Sequence, residues 1–293
     1  MACDWLLIDG PSLIFRSYYA SVRATAVRRV NTIQGFLERL ERLIAQRGPS
    51  HVVVTEDWAW RPEWRVELIP SYKAHRADEP VPPALVPQLP VIAQLLTAIG
   101  IDHVGADDHE AEDVIATLAK LAPGTIEGAS GDRDLFALVE DPRVRILYPE
   151  KSGWVVVDED EVMRRSDVPG RRYADFAILR GDPSDGLPGL KGVGSVTAAA
   201  MIRRYGDIDA ILRERTLRDS DRDYLIRAKR VVSPATDLPL ALPPGRRSVY
   251  PADAEAVRGL AAEHRATGAC QRLLATLGAE RRTTTSAAAS FRR

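Results

Sequence analysis

Two aspartates three positions apart, Asp182 and Asp185, are separated by Pro183 and Ser184, residue types that favour a turn. They open the stretch RGDPSDGLPGLKGVGSVTAAAMIRRYG, Arg180 to Gly206. Its glycines, Gly189, Gly192 and Gly194, run into an Ala-rich apolar segment that predicts a helix over 196–205. A glycine hairpin feeding a helix N-terminus points backbone N–H groups one way, where the helix dipole favours negative charge. That geometry suits a phosphate, and the paired carboxylates upstream suit a hard divalent cation. Acids that bind metal beside a hairpin that grips phosphate point to phosphodiester chemistry. Neither G-x-G-x-x-G nor G-x-x-x-x-G-K-[ST] is satisfied, so a nucleotide loop is rejected.

More acids recur where elements begin or end. Residues 5–8, Trp-Leu-Leu-Ile, read as a buried parallel strand ending in Asp9 and Gly10. Residues 51–55 repeat the pattern and run into Glu56 and Asp57, and 124–129 lead to Asp132 and Asp134. A clear helix over 114–121 is preceded by Glu110, Glu112 and Asp113. Simple helix capping would need only one or two of these acids. Short strands are also expected over 101–104, 144–147 and 154–157. Helices are expected over 31–47, 86–99, 173–179, 208–213, 221–232, 253–264 and 270–277. These elements describe an α/β fold, a parallel sheet flanked by helices, followed by a helical C-terminal region. In open parallel sheets ligands bind at the carboxyl edge, where these acids fall.

Two like charges 4 Å apart repel by about 4 kcal/mol at an effective dielectric near 20. So large a group of acids needs counter-charge, and Arg133 is the main base in obvious reach. Oxygen-only ligands without Cys or His spacing select Mg²⁺ or Mn²⁺ over Zn²⁺. Two such ions can activate water and stabilise the leaving oxygen of a phosphodiester.

The chain has 293 residues, 45% of them hydrophobic, a net charge of −1 and a pI near 6.5. This allows one large or two modest domains. No apolar run approaches the roughly 18 residues of a membrane span, and no basic leader precedes the first strand. Lone Cys3 and Cys270 argue for a reducing cytoplasm and against structural zinc or a disulfide framework. Bases crowd the later part, from Arg203 to Arg230, mixed with Asp219, Asp221 and Asp223. They form either a solvated helical surface or a track for a phosphate backbone. Between Trp58 and Arg76, tryptophans interleave with bases, and prolines from Pro80 to Pro90 space out a loop. The tryptophans either stack on splayed nucleotides or pack the loop onto the body. From Gly278 onward Ala, Thr, Ser and Arg dominate, which predicts a disordered tail over 279–293.

Taken together, the motifs resemble the bacterial 5′→3′ exonuclease/flap endonuclease family, which also supplies the N-terminal nuclease domain of bacterial DNA polymerase I. Leu7-Ile8-Asp9-Gly10 with Arg16 is similar to its opening strand, and Asp57 to the acid ending its second strand. Tyr72-Lys73-Ala74-His75-Arg76 resembles the Tyr-Lys-x-x-Arg of its helical arch. Glu110-Ala111-Glu112-Asp113 stands where the family has Glu-Ala-Asp-Asp, and Asp132-Arg133-Asp134 where it has Asp-x-Asp. Gly181 to Gly194 closely resembles its Gly-Asp-x-Ser-Asp-Asn-Leu-Pro-Gly-x-x-Gly-x-Gly, with Gly186 in place of Asn. The tryptophan-rich stretch is unusual and one residue longer than the family pattern.

The resemblance implies a PIN-like nuclease core over 1–175 with an arch at about 58–90, and a helix-three-turn-helix DNA-binding module with further helices over 176–278. It implies a stand-alone, monomeric enzyme acting on DNA with 5′ flaps, nicks or 5′ ends, and on RNA–DNA hybrid during primer removal. On this reading Asp9, Glu110, Glu112, Asp132 and Asp134 hold one Mg²⁺ or Mn²⁺. Asp182 and Asp185 help hold a second, with Asp57 and Asp113 acting partly through water. Lys73 stabilises the phosphate, Arg76 and Arg16 orient it, and Tyr72 contacts DNA. Lys191, Gly192 and Gly194 grip a duplex phosphate, with K⁺ at the hairpin. The rivals are a PIN-type ribonuclease and a branched-DNA binder without turnover.

Overall fold

The computed structural model describes residues 3–24, 31–78 and 81–290, without the side chains of Ala24 and 280–290. Apolar runs build the strands β1 (Trp5–Asp9), β2 (His51–Thr55), β3 (Asp102–Val104), β4 (Ile126–Ala129), β5 (Val144–Glu150) and β6 (Gly153–Val157). They form one sheet in the order β3-β2-β1-β4-β5-β6. The pairs β1–β2, β1–β4, β2–β3 and β4–β5 are parallel, and β6 closes the edge antiparallel to β5. Strand residues alternate between two apolar layers, as the pleat requires. Leu7, Val53 and Ile146 face one cluster, while Leu6, Ile8, Val52, Val54 and Leu147 face the other.

Helices cover both faces, the arrangement a parallel sheet needs. Over the second cluster lie α1 (Gly10–Ala24) and α2 (Thr32–Arg47). The side chain of Asn31 caps α2 at Gln34 N, and Gly48 ends it in the left-handed region. Between β2 and the next long helix run two short helices, α3 (Glu63–Leu68) and α4 (His75–Asp78), in the segment expected to form the arch. Glu79 and Pro80, part of that expected segment, lie outside the described residues. Then come α5 (Leu89–Ile99), α6 (Ala111–Leu121), α7 (Glu159–Ser166) and α8 (Tyr173–Arg180).

The C-terminal part is helical: α9 (Ser195–Tyr205), α10 (Ile208–Glu214), α11 (Asp219–Val232), α12 (Ala254–Glu263) and α13 (Thr267–Ser290). α8 through α11 pack on one another under the first cluster. α12 and α13 return to the other face, against α5 and α2. In the tail expected to be disordered, over 279–293, the backbone continues α13 to Ser290, and 291–293 lie outside the described residues. No helix among the described residues is long and apolar enough to cross a membrane.

Candidate active site

Parallel pairing puts the ends of β1, β2 and β4 on one edge of the sheet. Asp9 ends β1, Asp57 follows β2 by two residues, and Asp132 and Asp134 follow β4. The strand order reverses beside β1, the switch point at which a doubly wound sheet opens a crevice. The start of α6 brings Glu110 and Glu112, and the α8–α9 connection brings Asp182 and Asp185. These eight carboxylates line one basin of about 760 Å³, together with Lys73, Arg76, Arg133 and Arg180.

Cations hold one half of the basin. Arg65, on α3, is fully buried, and its guanidinium bonds Glu110, Glu112 (2.9 Å) and Asp113 (2.7 Å). Glu110 is saturated. Its Oε2 accepts from Arg65 and from the Tyr72 hydroxyl (2.6 Å), and its Oε1 accepts from Lys73 Nζ and Arg76 (both 2.8 Å). Burial alone would raise the Glu110 pKa; Lys73, Arg65 and Arg76 overcome it and hold the carboxyl down at about 2. The counter-charge assigned to Arg133 therefore comes mainly from Arg65, Lys73 and Arg76. Arg133 is exposed and donates to the Tyr148 hydroxyl at 3.4 Å.

The other half is short of positive charge. Asp134 is raised by burial and by the charges of Asp132 and Asp185; Asp185 is raised by burial despite Lys73. Those two carboxyls hydrogen-bond each other. Glu112 is raised by burial that Lys73 and Arg65 only partly offset. Burial lifts Asp9 to about 6 against hydrogen bonds from Ser130 Oγ and Ser12 N, and burial plus the charges of Asp9 and Glu110 lifts Asp57 to about 7.

These shifts make a stability prediction for the metal-free protein. Folded pKa values above the ordinary carboxylate value mean that the native state binds more protons than the unfolded chain between about pH 4 and 7. Stability then falls as pH rises through that window. At about 1.4 kcal/mol per pKa unit, Asp57 alone accounts for on the order of 4 kcal/mol. The low value of Glu110 acts only below its ordinary pKa, outside the window. In EDTA, Tm is expected to be higher at pH 5.5 than at pH 8; a Tm that climbs steadily to pH 8 contradicts the assignment.

Several expected site residues stand elsewhere. Asp113 does not line the basin. Its Oδ2 accepts from Glu110 N as an α6 cap, and its Oδ1 is taken by Arg65 and Ala235 N. Capping and the buried ion pair leave it no oxygen facing the basin. Tyr72, expected to contact DNA, is buried with its hydroxyl on Glu110 and Arg65. Arg16 points into an adjoining cleft on α1 rather than into the basin. Lys191, Gly192 and Gly194 are exposed at the N-terminus of α9 and lie apart from the basin lining. Two tryptophans pack the loop, Trp60 stacking on Phe15 (centroids 5.4 Å) and under Arg76 and Trp64 donating to Asp108 O, while Trp58 stays exposed.

Sequence reasoning missed Arg65 as the central counter-ion, and also Ser130 and Ser12 on Asp9. The signal for Arg65 was the surplus of acids at 110–113, which demanded a cation from outside their own segment.

Asp182 and Asp185 sit in a tight turn closed by Asp182 N to Leu187 O (3.0 Å) and Leu187 N to Asp182 O (2.8 Å). Asp182 is itself satisfied, by Arg180 (3.0 Å) and by Ser184 N and Oγ. Lys73 N donates to Asp185 O (2.9 Å) and Ser71 Oγ to Gly186 O (2.6 Å), so the lysine-bearing loop rests on this turn. Gly186 has φ +70°, and a Cβ there would stand 1.8 Å from Ser71 O. Only glycine permits this approach, which accounts for glycine where the family motif has Asn. Gly186→Ala is expected to cost at least about 2 kcal/mol and to loosen residues 71–73. Urea unfolding and amide exchange at Lys73 check it, and an unperturbed loop contradicts it.

Eight carboxylates dominate the basin lining, beside the side chains of Ser12, Ser184, Tyr148 and His75, and so many hard oxygens fit a divalent cation. The upward shifts of Asp134 and Asp185, driven by burial and by neighbouring acids, mark negative charge that the protein's own cations do not neutralise. Among the described residues no three carboxylates converge on one point as a closed metal cage.

The chain matches the family models for the 5′-3′ exonuclease N-terminal resolvase-like domain over residues 4–167 and the 5′-3′ exonuclease C-terminal SAM fold over 168–254. It is 43% identical to a 5′-3′ exonuclease of Streptomyces coelicolor, across 94% of this chain and 100% of that one. It is 33% identical to DNA polymerase I of Mycobacterium tuberculosis, across 87% of this chain but 30% of that one. In fold it resembles the T5 D15 protein co-crystallised with metal ions, with a TM-score of 0.65, 15% identity, and coverage of 94% of this chain and 98% of that chain. The chain belongs to the 5′-3′ exonuclease family, carrying that family's resolvase-like N-terminal domain and SAM-fold C-terminal domain.

Proposed function

We propose that the protein is a divalent-metal-dependent, structure-specific 5′ nuclease, a 5′→3′ exonuclease and flap endonuclease that hydrolyses phosphodiesters in DNA replication and repair. The observation that carries this reading is the gathering of acids from β1, β2, β4, α6 and the α8–α9 turn around one basin. Asp132, Asp134 and Asp185, with Asp9 and Glu112 beside them, hold Mg²⁺ or Mn²⁺; Asp57 and Asp182 act through water or a neighbouring ligand. A bound ion supplies Lewis acidity, making water a nucleophile at neutral pH and offsetting charge on the leaving oxygen. Glu110 anchors Lys73 and Arg76, whose charges face the basin where a scissile phosphate would lie and stabilise it as charge develops.

The hairpin at Gly192 and Gly194 takes a duplex phosphate. Gly192 has φ +78°, the first N–H groups of α9 have no side-chain cap, and a Cβ at either glycine would meet nothing in the chain. Open amides at an 11-residue helix N-terminus favour an anion, and K⁺ held at the hairpin would add positive charge for the phosphate. Substrates are DNA with 5′ flaps, nicks or 5′ ends, and RNA–DNA hybrid, handled by a monomer in the cytoplasm at the nucleoid. The presence of an acid at every position where the family motifs have one weighs against a binder without turnover. The test is a 5′-labelled flap duplex incubated with Mn²⁺, Mg²⁺ or EDTA. Cleavage near the flap junction with either metal and none in EDTA is expected; metal-independent cleavage, or none at all, counts against the reading.

A further inference from the structure

A second cleft opens beside the basin, between α1 and α2. Its volume is about 340 Å³, and Phe15, Arg16, Tyr19, Ala20, Arg23 and Arg39 line it. Phe15 and Tyr19 also line the carboxylate basin, so the two cavities share a wall. α1 starts immediately after Asp9. Arg16, Tyr19, Ala20 and Arg23 fall at helical spacing on one face, a stripe about 10 Å long that leads away from the basin.

The charges here have no carboxylate paired to them among the described residues, although Arg23 Nε donates to Tyr19 O at 3.2 Å and the charge of Glu38 acts on Arg39. Among the described residues, Arg16, Arg23 and Arg39 form no ion pair with a carboxylate; Glu38, the nearest acid acting on Arg39, accepts instead from Gln34 and Arg272 and lies 3.9 Å from Arg42. Arg39 Nε is buried with no hydrogen-bond partner. Burial, with the charges of Arg16 and Arg42, disfavours its charged form. A buried donor left without an acceptor is costly, and a surface serving only solubility would intersperse acids. The aromatic side of the cleft is built of packed rings. Phe15 is fixed by the Trp60 stack, and Tyr19, 49% exposed, stands 6.4 Å from Phe15 and edge-on to Tyr18 at 5.3 Å. Cations tracking a groove beside an exposed aromatic face are the elements of single-strand recognition, phosphates on arginine and a base on the ring. A cleft this small admits one strand, not a duplex.

We propose that the α1–α2 cleft is a subsite for a single nucleic-acid strand leaving the basin, with Arg16, Arg23 and Arg39 on its phosphates and Tyr19 under a base. The identity of that strand as the unpaired part of a substrate rests on the nuclease reading; its binding does not. The test is fluorescence anisotropy of labelled oligothymidylate in EDTA, where nothing is cleaved, with a blunt duplex as the comparison. R23Q/R39Q is expected to weaken oligothymidylate binding at least about tenfold and to reduce the log–log salt slope by about 1.4, at roughly 0.7 per lost contact on a single strand. Y19A is expected to weaken it about fivefold or more, the loss of one stacked base. Blunt-duplex binding is expected to hold for all variants.

Unchanged oligothymidylate affinity and slope overturn the proposal, as does an equal loss on the blunt duplex. If R23Q/R39Q lacks a cooperative melting transition, R23Q and Y19A decide by the same criteria. Metal-supported flap cleavage by the parent protein is measured separately. A parent that binds oligothymidylate through the cleft and cleaves nothing sinks the nuclease reading alone; one that cleaves flaps but whose variants bind normally sinks the cleft alone.

Discussion

Asp134→Asn is expected to lower flap cleavage in Mn²⁺ by at least about 1,000-fold, roughly 4 kcal/mol of barrier, while raising the Tm of the metal-free protein at pH 8. The two effects have one cause. Asp134 is buried among Asp132 and Asp185, its carboxyl is raised by burial and by their charges, and it shares a hydrogen bond with Asp185. At pH 8 without metal the folded protein must hold a proton there or bear the repulsion. Asparagine keeps the shape and the hydrogen-bonding atoms without the charge, so the folded state gains. The same change removes the negative oxygen that would draw a divalent ion, so turnover collapses. Such a trade is expected at a site built for function rather than stability. An active variant, or one with a lowered Tm, contradicts the claim that Asp134 is a metal-holding acid lacking internal counter-charge.

Arg65→Met is expected to destabilise the protein by about 3–5 kcal/mol, the range for removing one partner of a buried ion pair. Arg65 has no exposed surface and meets three carboxylates together with the Tyr72 ring and hydroxyl. Methionine fills much of the volume, so the loss reflects charge more than cavity. Glu110 keeps Lys73 and Arg76, but Glu112 is left with Lys73 at 4.0 Å and Asp113 with backbone donors. Adding Glu112→Gln to Arg65→Met should therefore cost less than Glu112→Gln costs alone, with a coupling of at least about 1 kcal/mol. Urea unfolding at fixed pH in EDTA measures all four corners of the cycle. Simple additivity would mean that Arg65 contributes packing and not compensation.

The sheet was legible because its central parallel strands are apolar runs with acids at or just past their ends: Asp9 ends β1, Glu56 and Asp57 follow β2, and Asp132 lies three residues past β4. Once 5–9, 51–55 and 126–129 are parallel neighbours, Asp9, Asp57 and Asp132 must fall on one edge. The start of α6 was legible from its acids, but their division of labour was not. Sequence shows Glu110 and Asp113 at a spacing that serves capping and ligation equally, and only the placement of Arg65 and Ala235 shows where the oxygens of Asp113 go. Arg65 was hidden because its partners lie 45 to 48 residues away and nothing local distinguishes a buried arginine from a solvated one. Tyr72 sits in a recognisable motif, yet its burial comes from that same ion-pair cluster. The tryptophans at 60 and 64 were ambiguous because aromatic rings serve packing and stacking alike; their N–H bonds to Arg76 O and Asp108 O commit them to the body. The cleft on α1 was invisible because Arg39 joins it from another helix.

The central claim is that acids from distant segments capture divalent ions in one pocket, and a crystal soaked in Mn²⁺ and measured at the manganese absorption edge tests it most directly. Anomalous peaks are expected in the basin, bonded to oxygens of Asp132, Asp134 or Asp185 at about 2.0–2.3 Å, with water completing each shell. A basin free of anomalous signal at saturating Mn²⁺, or manganese held only at outlying surface carboxylates, would contradict it.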